Sequence, residues 1–298
     1  MRLQYFGDGI RIDKYIANEV PSLTRTQIQK LINEEFITVN DNIIKANYIL
    51  KDSDIINIII PKPKPSKIEA QNIPLDIFYE DKDIIVVNKP SGMVVHPAAG
   101  NLDNTLVNAL LYHCKDLSGI NGRIRAGIVH RIDKDTSGLL VACKNDFAHK
   151  KLSVQFAKKM VTRKYYAICS GVIPHNLGRI DAPIGRNPNN RQQMAVVKDG
   201  KDAITNFKVL ERFENHTLIE LELETGRTHQ IRVHMNYIGY PITGDPLYGH
   251  KKEVSPYGQY LHAKTLGFYH PRTNEYIEFD SPLPNFFEEF LNKLRGSL

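Results

Sequence analysis

The chain has 298 residues, enough for one large domain and a small appendage but short for two full-sized domains. A hydrophobic fraction of 42% and a charged fraction of 24% exclude a largely disordered or fibrous protein. The net charge of +6 favours a polyanionic partner, although charge alone does not identify one.

Membrane and disulfide signals are both weak. The longest strongly apolar stretch, Ile55 to Ile60, is interrupted by Asn57 and is too short to cross a bilayer. The N-terminus has no basic-then-apolar signal pattern, so we expect a cytoplasmic protein. Cys114, Cys143 and Cys169 show no paired spacing, which predicts buried free thiols rather than disulfides.

Two short amphipathic helices are predicted first. Apolar residues recur at helical spacing over residues 11–20 and define the first helix. The second is expected to open at Thr24, whose hydroxyl forms a capping box with Gln27. Arg25 and Lys30 lie off its apolar stripe, where they can contact a phosphate backbone or simply be solvated.

Strand signals complete a small N-terminal unit. Phe36–Val39 and Ile55–Ile60 are strand-like, with a turn at Asn40–Asn42. The order of Arg-Ile-Asp-Lys-Tyr-Ile, Thr-Arg-Thr-Gln-Ile-Gln-Lys-Leu-Ile and Ile-Thr-Val-Asn resembles the RNA-binding domain named after small-subunit ribosomal protein S-four. The resemblance implies a small α/β RNA-binding domain over residues 1–61. Alternating proline and charge then predicts an extended linker over residues 62–73.

Residues 74–298 are predicted to form an α+β domain on a largely antiparallel, mixed sheet. Ile84–Val87 is a short apolar run. Leu218–Glu224 alternates with period two, so one face of that strand should pack and the other should meet water. Pro284 precedes an amphipathic C-terminal helix.

The segment Gly127–Leu140 places polar residues between apolar runs. Asp133 stands close to Arg131 and Lys134, so it is expected to be ionised at neutral pH, as a nucleophile or a general base requires. For an isolated aspartate beside an arginine, a structural ion pair is the more common explanation. These residues alone leave both alternatives open.

The whole string decides between them. His130-Arg131-Ile132-Asp133, followed by Thr136-Ser-Gly-Leu-Leu140, resembles the signature of the RluA/RluD family of pseudouridine synthases, with isoleucine where the family has leucine. That exchange conserves volume. Other family segments occur along the chain in the expected order: Val87–Pro97 before this string, and Arg163–Ala167 and Thr225–His234 after it. The resemblance implies a cofactor-free enzyme that isomerises uridine in ribosomal RNA.

Residue roles follow from the same resemblance. It makes Asp133 the catalytic aspartate, Tyr165 the aromatic residue under the target base, and Arg232 the basic partner of the aspartate. Arg131 would fill the space that the base vacates, and His130 beside it is expected to contact RNA. Without the resemblance, Tyr165 is an ordinary strand aromatic and Arg232 a surface arginine.

Local patterns predict where these side chains lie. Strand alternation places Tyr165 and Tyr166 on opposite faces. Arg232 falls in the opening of a helix from Thr228, the expected N-cap, to Gly239 beyond its C-terminus. A guanidinium there can form a two-pronged pair with the catalytic aspartate.

Further RNA contacts are expected outside these motifs. Arg186 and Arg191 belong to a polar loop, Arg186–Met194, that either tracks phosphates or is merely solvated. Arg227 extends the same basic character into the Thr225–His234 segment. No metal-ligand spacing and no phosphate-binding glycine motif is present, so no metal and no cofactor are predicted.

The sequence leaves two alternative functions open and favours one substrate class. The chain could be an RNA-binding assembly factor without activity, or a glycosidic hydrolase that uses Asp133 and Asp135. Among pseudouridine synthases, His130 favours the RluA/RluD branch over the small-subunit-acting relatives. The S-four-like domain together with the segment Asn88–Gly100 favours the RluD type, which acts on large-subunit ribosomal RNA. We expect a monomer. Asp133 could attack C1′ or deprotonate C2′.

Overall fold

The computed structural model describes residues 1–20, 23, 25–60, 68–97, 101–119, 126–190 and 192–296. The chain divides into two compact units, Met1–Ser66 and Lys67–Leu298. The domain limits 1–61, 62–73 and 74–298 stay predictions, and residues 61–67 of the predicted linker lie outside the described residues.

The first unit combines two helices with a four-stranded antiparallel sheet of order β1-β4-β2-β3. Its elements are β1 (Arg2–Gln4), α1 (Ile12–Glu19), α2 (Arg25–Asn33), β2 (Ile37–Val39), β3 (Asn42–Ile43) and β4 (Ile55–Ile58). The predicted helices and strands are present with slightly different ends. The predicted cap, Thr24, lies outside the described residues.

Helical spacing and strand alternation supply the core of this unit. Ile12 and Ile16 are one turn apart on α1, and Ile28 and Ile32 are one turn apart on α2. All four are buried against alternate residues of β2 and β4. The predicted turn is confirmed, because Asn40 and Asp41 have φ values of 49° and 63°, the left-handed conformation that tight hairpins favour.

The second unit contains four helices and eleven strands among its described residues. Its strands are β5 (Asp76–Glu80), β6 (Ile84–Lys89), β7 (Ser137–Cys143), β8 (Thr162–Ser170), β9 (Leu177–Asp181), β10 (Ile184–Arg186), β11 (Met194–Val196), β12 (Ile204–Arg212), β13 (His216–Leu223), β14 (Leu261–Tyr269) and β15 (Tyr276–Asp280). Its helices are α3 (Leu106–His113), α4 (Asp146–Ala157), α5 (Gln230–Tyr237) and α6 (Asn285–Arg295), with a 3-10 turn at Lys251–Glu253.

Nine of these strands form one sheet in the order β5-β6-β7-β14-β8-β13-β12-β9, with β15 also paired to β14. The β7–β14 pair is parallel and the others are antiparallel. This confirms the predicted α+β class and the largely antiparallel, mixed sheet. Gly138, with a φ of 115°, makes the parallel contact possible, because a Cβ there would lie 2.3 Å from the carbonyl oxygen of Ala263.

Alternation divides the sheet into two packed faces. Tyr165, Ala167 and Cys169 belong to the cluster on one face, whereas Tyr166 and Ile168 pack with α6. The predicted opposition of Tyr165 and Tyr166 is therefore confirmed. The three cysteines are buried free thiols, as predicted. No helix in the described ranges combines the length and the apolar character needed to span a bilayer.

Helix α5 begins one residue later than predicted. Thr228 is not its N-cap. His229 precedes the helix in a left-handed conformation, with a φ of 56° and no capping hydrogen bond from its side chain. Gly239, with a φ of 86°, follows the last turn as predicted. Arg232 is the third residue of α5, so its predicted place in the helix opening is confirmed.

Candidate active site

A cavity of about 510 Å³ opens over the strands β8, β13 and β14. Its volume is in the range of small-ligand sites. Asp133, Tyr165 and Arg232 all line it, together with Arg131, His130 and Arg227. The cations Arg131, Lys159, Arg163, Arg227 and Arg232 outnumber the carboxylates Asp133 and Glu224 in its lining, so the cavity favours an anionic ligand.

Arg232 joins two aspartates. Its Nη1 donates to Oδ2 of Asp133 at 3.0 Å, across 99 residues of sequence. Its Nε and Nη2 donate to Oδ2 and Oδ1 of Asp245 at 2.6 and 2.8 Å. The expected two-pronged pair with Asp133 is therefore wrong, because the fork of the guanidinium faces Asp245 instead.

The charge state of Arg232 follows from these contacts. Burial by itself would lower the pKa of Arg232, but the hydrogen bond and charge of Asp245, with those of Asp133, outweigh burial and raise it. The side chain of Arg232 is 5% exposed and that of Asp133 is 18% exposed. A permanent buried cation thus holds one oxygen of a carboxylate that reaches the cavity.

Tyr165 forms part of the cavity wall beside this pair. It lies on β8 and is 7% exposed. Burial raises the pKa of its phenol, Arg163 lowers it, and Asp133 raises it further. The phenol is therefore neutral at physiological pH, and the ring offers an uncharged flat surface, which suits stacking against a planar base.

His130 lines the cavity as a neutral ring. Its Nε2 accepts the backbone N–H of Val141 at 3.1 Å, and the ring stacks on Phe156 with centroids 4.6 Å apart. Burial, and secondarily Arg163, lowers the pKa of His130 to about 3. Any contact of His130 with RNA therefore cannot rely on positive charge.

Tyr248 connects two residues of the cavity. Its hydroxyl accepts the backbone N–H of Met194 and lies 2.8 Å from Nδ1 of His229. Its ring faces the guanidinium of Arg232, 5.1 Å from the centroid. Burial lowers the pKa of His229, although Asp133 and Asp245 partly oppose this. Neither Asp245 nor Tyr248 was predicted as a site residue, since Gly244-Asp-Pro-Leu-Tyr248 reads only as a turn.

Two family models and several known proteins match this chain. The family model described as RNA pseudouridylate synthase matches residues 83–237, and the S4 domain model matches residues 10–56. YlyB of Bacillus subtilis, named an uncharacterized RNA pseudouridine synthase, is 55% identical over 96% of this chain and 94% of its own length.

The chain belongs to the RNA pseudouridine synthase family.

Other relatives extend the match. Ribosomal large subunit pseudouridine synthase D of Zymomonas mobilis is 47% identical, over 93% of this chain and 91% of that protein. The solved structure of human RNA pseudouridylate synthase domain containing 1 has a TM-score of 0.60 and 27% identity, and it covers 76% of this chain and 96% of that one. The protein is therefore an isomerase with an RNA-binding S4 domain.

A buried lysine, Lys89, contacts the loop that carries Asp133. Lys89, at the end of β6, is 1% exposed, and its Nζ donates to the carbonyl oxygens of Pro90, Met93 and Lys134 at 2.7 to 2.9 Å. Burial lowers the pKa of Lys89 to about 7, against the opposing charges of Asp135 and Asp133. Lys134 directly follows Asp133, so this contact anchors the loop that carries the aspartate.

The remaining predicted RNA contacts fall in several places. Arg131 and Arg227 are exposed at the cavity, where Nε of Arg227 donates to the carbonyl of Asp202. Arg186 ends β10 and is exposed, so the predicted loop begins only after it. Arg191 lies outside the described residues.

Arg25 and Lys30 belong to the first unit. Arg25 donates to Asp13 at 2.9 Å, and Nζ of Lys30 is 3.7 Å from Glu34. Both side chains are exposed by more than half. These basic groups are therefore available at the surface of the S4 domain.

Two groups of potential metal ligands occur in the described part of the synthase, both outside the cavity lining. In the first, Glu80 pairs with Lys144 and His113 beside Cys114. In the second, Asp81 pairs with His270, and Asp83 pairs with Arg272. The carboxylates of both groups are thus engaged by the protein's own basic side chains.

Proposed function

We propose that the synthase converts specific uridines of large-subunit ribosomal RNA to pseudouridine, with Asp133 as the catalytic carboxylate and no cofactor. The proposal rests on the hydrogen bonding of the Asp133 carboxylate in the cavity. Arg232 holds Oδ2 at 3.0 Å, whereas Oδ1 accepts no hydrogen bond from any described residue. A carboxylate oriented through one oxygen and open at the other suits attack on a sugar carbon or removal of a proton.

The reaction makes simple demands on such a site. The N1–C1′ bond breaks, the uracil rotates while enclosed, and C5 bonds to C1′. C5 then loses its proton and N1 gains one, so the product has the same atoms and electrons as uridine. Asp133 attacks C1′ or deprotonates C2′, and both routes need the free oxygen near the sugar. Tyr165 supplies the flat surface on which the released uracil turns, since stacking of a base on an aromatic ring contributes roughly 1–3 kcal/mol.

Entry of the base sets the kind of RNA that reacts. A nucleotide must leave its stack to reach a cavity of this size, at a cost of a few kcal/mol, which is lowest in loops. Arg131 stands at the cavity and is exposed, so it can fill the space that the base leaves in the RNA. Exposed arginines there and on the S4 domain supply phosphate contacts.

The choice of large-subunit RNA is supported by the relatives. The Zymomonas mobilis protein and one from Pseudomonas aeruginosa, 44% identical to this chain, are both named ribosomal large subunit pseudouridine synthase D. A cytoplasmic monomer is part of the same proposal.

The test is chemical mapping of pseudouridine in large-subunit RNA from cells that lack the protein. Wild type should restore the missing sites and Asp133→Asn should restore none. Asp135→Asn is the matched control, because Asp135 is two residues away and is not among the described residues that line the cavity. It should restore them.

Each other result contradicts a defined part of the proposal. Persistence of every site in cells without the protein contradicts the substrate. Restoration by Asp133→Asn contradicts its catalytic role. Release of free uracil from RNA by the purified protein would instead support a glycosidic hydrolase.

A further inference from the structure

Asp245 is a buried carboxylate behind the cavity. Its side chain has no solvent exposure, and it follows α5 in a turn. Its Oδ1 accepts the backbone N–H groups of Leu247 at 2.8 Å and Tyr248 at 3.0 Å. The turn therefore fixes this carboxylate independently of Arg232.

The fixed carboxylate determines how Arg232 is oriented. Two of the three guanidinium nitrogens, Nε and Nη2, donate to Asp245, and the ring of Tyr248 lies against the same group. A guanidinium is planar and rigid, so fixing two nitrogens also fixes the direction of the third. That third nitrogen, Nη1, is the one that reaches Asp133.

This division of contacts matters for the reactive carboxylate. A guanidinium free to rotate would present two parallel N–H groups to Asp133 and occupy both of its oxygens. In the observed arrangement, Asp133 receives a single hydrogen bond from Arg232, on Oδ2. The positive charge of Arg232 is also shared with a second carboxylate.

We propose that Asp245 is a positioning residue of the synthase, which turns Arg232 so that it holds one oxygen of Asp133 and leaves the other free to react. The proposal rests on the proposed catalytic role of Asp133. Asp245 is not among the described residues that line the cavity, and it acts through Arg232.

The first experiment is steady-state kinetics of Asp245→Asn on a large-subunit RNA fragment that contains a mapped site. The amide oxygen can still accept the backbone N–H groups of the turn. The amide NH2 then faces the Nε–H of Arg232, and since both groups are donors, the two-pronged pair is lost. We expect kcat to fall on the order of 10²-fold, because a small misplacement of a catalytic group has an effect of this size. KM for the RNA should stay at the wild-type value, because no RNA contact is removed.

Asp83→Asn is the matched control. Asp83 is also fully buried and accepts Nε and Nη2 of Arg272, both at 2.6 Å, but it does not line the cavity. Its loss also removes a two-pronged arginine pair from a fully buried aspartate, so kcat should remain that of the wild type. An equal fall of kcat in both variants would overturn the proposal.

A double-variant cycle tests whether Asp245 acts through Arg232. Lysine has no fork to direct, so adding Asp245→Asn to Arg232→Lys should slow the enzyme no further. Multiplication of the two effects would contradict the proposal. If Asp245→Asn does not fold, Asp245→Glu, which keeps the charge but displaces the carboxylate, is measured in the same way and should also lower kcat at constant KM.

Failure of this proposal is distinguishable from failure of the proposed function. Activity in Asp133→Asn would remove the proposed role of Asp133. An inactive Asp133→Asn together with a folded, fully active Asp245→Asn would leave that role intact and reject only the positioning role of Asp245.

Discussion

Buried aspartates hold arginines in both units of the synthase, but the groups left accessible carry opposite charges. In the first, Asp13 has no solvent exposure and accepts hydrogen bonds from Arg11, Arg25 and Gln29. The two arginines are 46% and 53% exposed. One buried carboxylate thus orients two cations at the surface, where they can meet phosphates.

In the second unit the arginine is the buried partner. Arg232 lies between Asp245, which is fully buried, and Asp133, which reaches the cavity. The group left accessible is a carboxylate instead of a cation. In the Asp13 pairs and in the Arg232–Asp133 pair, the buried member thus determines which charge stays accessible: cations on the first unit and a carboxylate at the cavity.

The largest expected effect comes from removing the buried cation. Arg232→Met leaves Asp245 buried without a counter-charge, so the free energy of unfolding should fall by about 3–5 kcal/mol, measured by urea denaturation. In Arg25→Met, Asp13 keeps Arg11 and Gln29, and we expect a loss below about 1 kcal/mol. Equal losses would break the comparison between the two units.

A smaller effect is expected on RNA affinity. Asp13→Asn removes the charge that orients Arg11 and Arg25, so Kd for the RNA should rise about tenfold, or ~1.4 kcal/mol, without a change in kcat at saturation. Asp54→Asn is the control, because this buried carboxylate of the same unit accepts from Asn40, Tyr48 and the Lys51 backbone. A matching rise of Kd in the control would attribute the effect to general loosening.

The smallest effect is a pH dependence of stability. Burial raises the pKa of Asp13, but hydrogen bonds from Gln29, Arg25 and Arg11 outweigh it and hold the pKa well below its ordinary value of 3.8. A lowered folded-state pKa contributes stability above pH 3.8 that is lost as pH falls below it. The stability difference between wild type and Asp13→Asn should therefore be constant from pH 7 to about 5 and shrink below pH 4. A difference independent of pH would exclude this ion pair as its source.

Periodicity and family motifs were sufficient for most of the fold and for part of the site. Helices α1 and α2, the turn at Asn40–Asp41, and the alternation around Tyr165 follow from spacing that acts within a few residues. The predicted N-cap of α5, Thr228, is wrong because His229 adopts a left-handed conformation and takes that position. No local sequence pattern predicts this conformation for a histidine. The sequence predicts that His130 contacts RNA, but it does not predict that the ring is neutral. That neutrality results from burial in the tertiary structure, where the ring stacks on Phe156 and lies near Arg163.

By itself the sequence determined the class of the fold, the order of its elements and the segments that carry the candidate site. It did so because side-chain spacing and motif order are properties of the chain. Only the tertiary structure decided that the fork of Arg232 faces Asp245 and that a single N–H reaches Asp133. Arg232 is 13 residues from Asp245 and 99 residues from Asp133 in the sequence. The directions of these hydrogen bonds depend on how α5, the turn after it and the loop that carries Asp133 pack together, and no local sequence pattern encodes that packing.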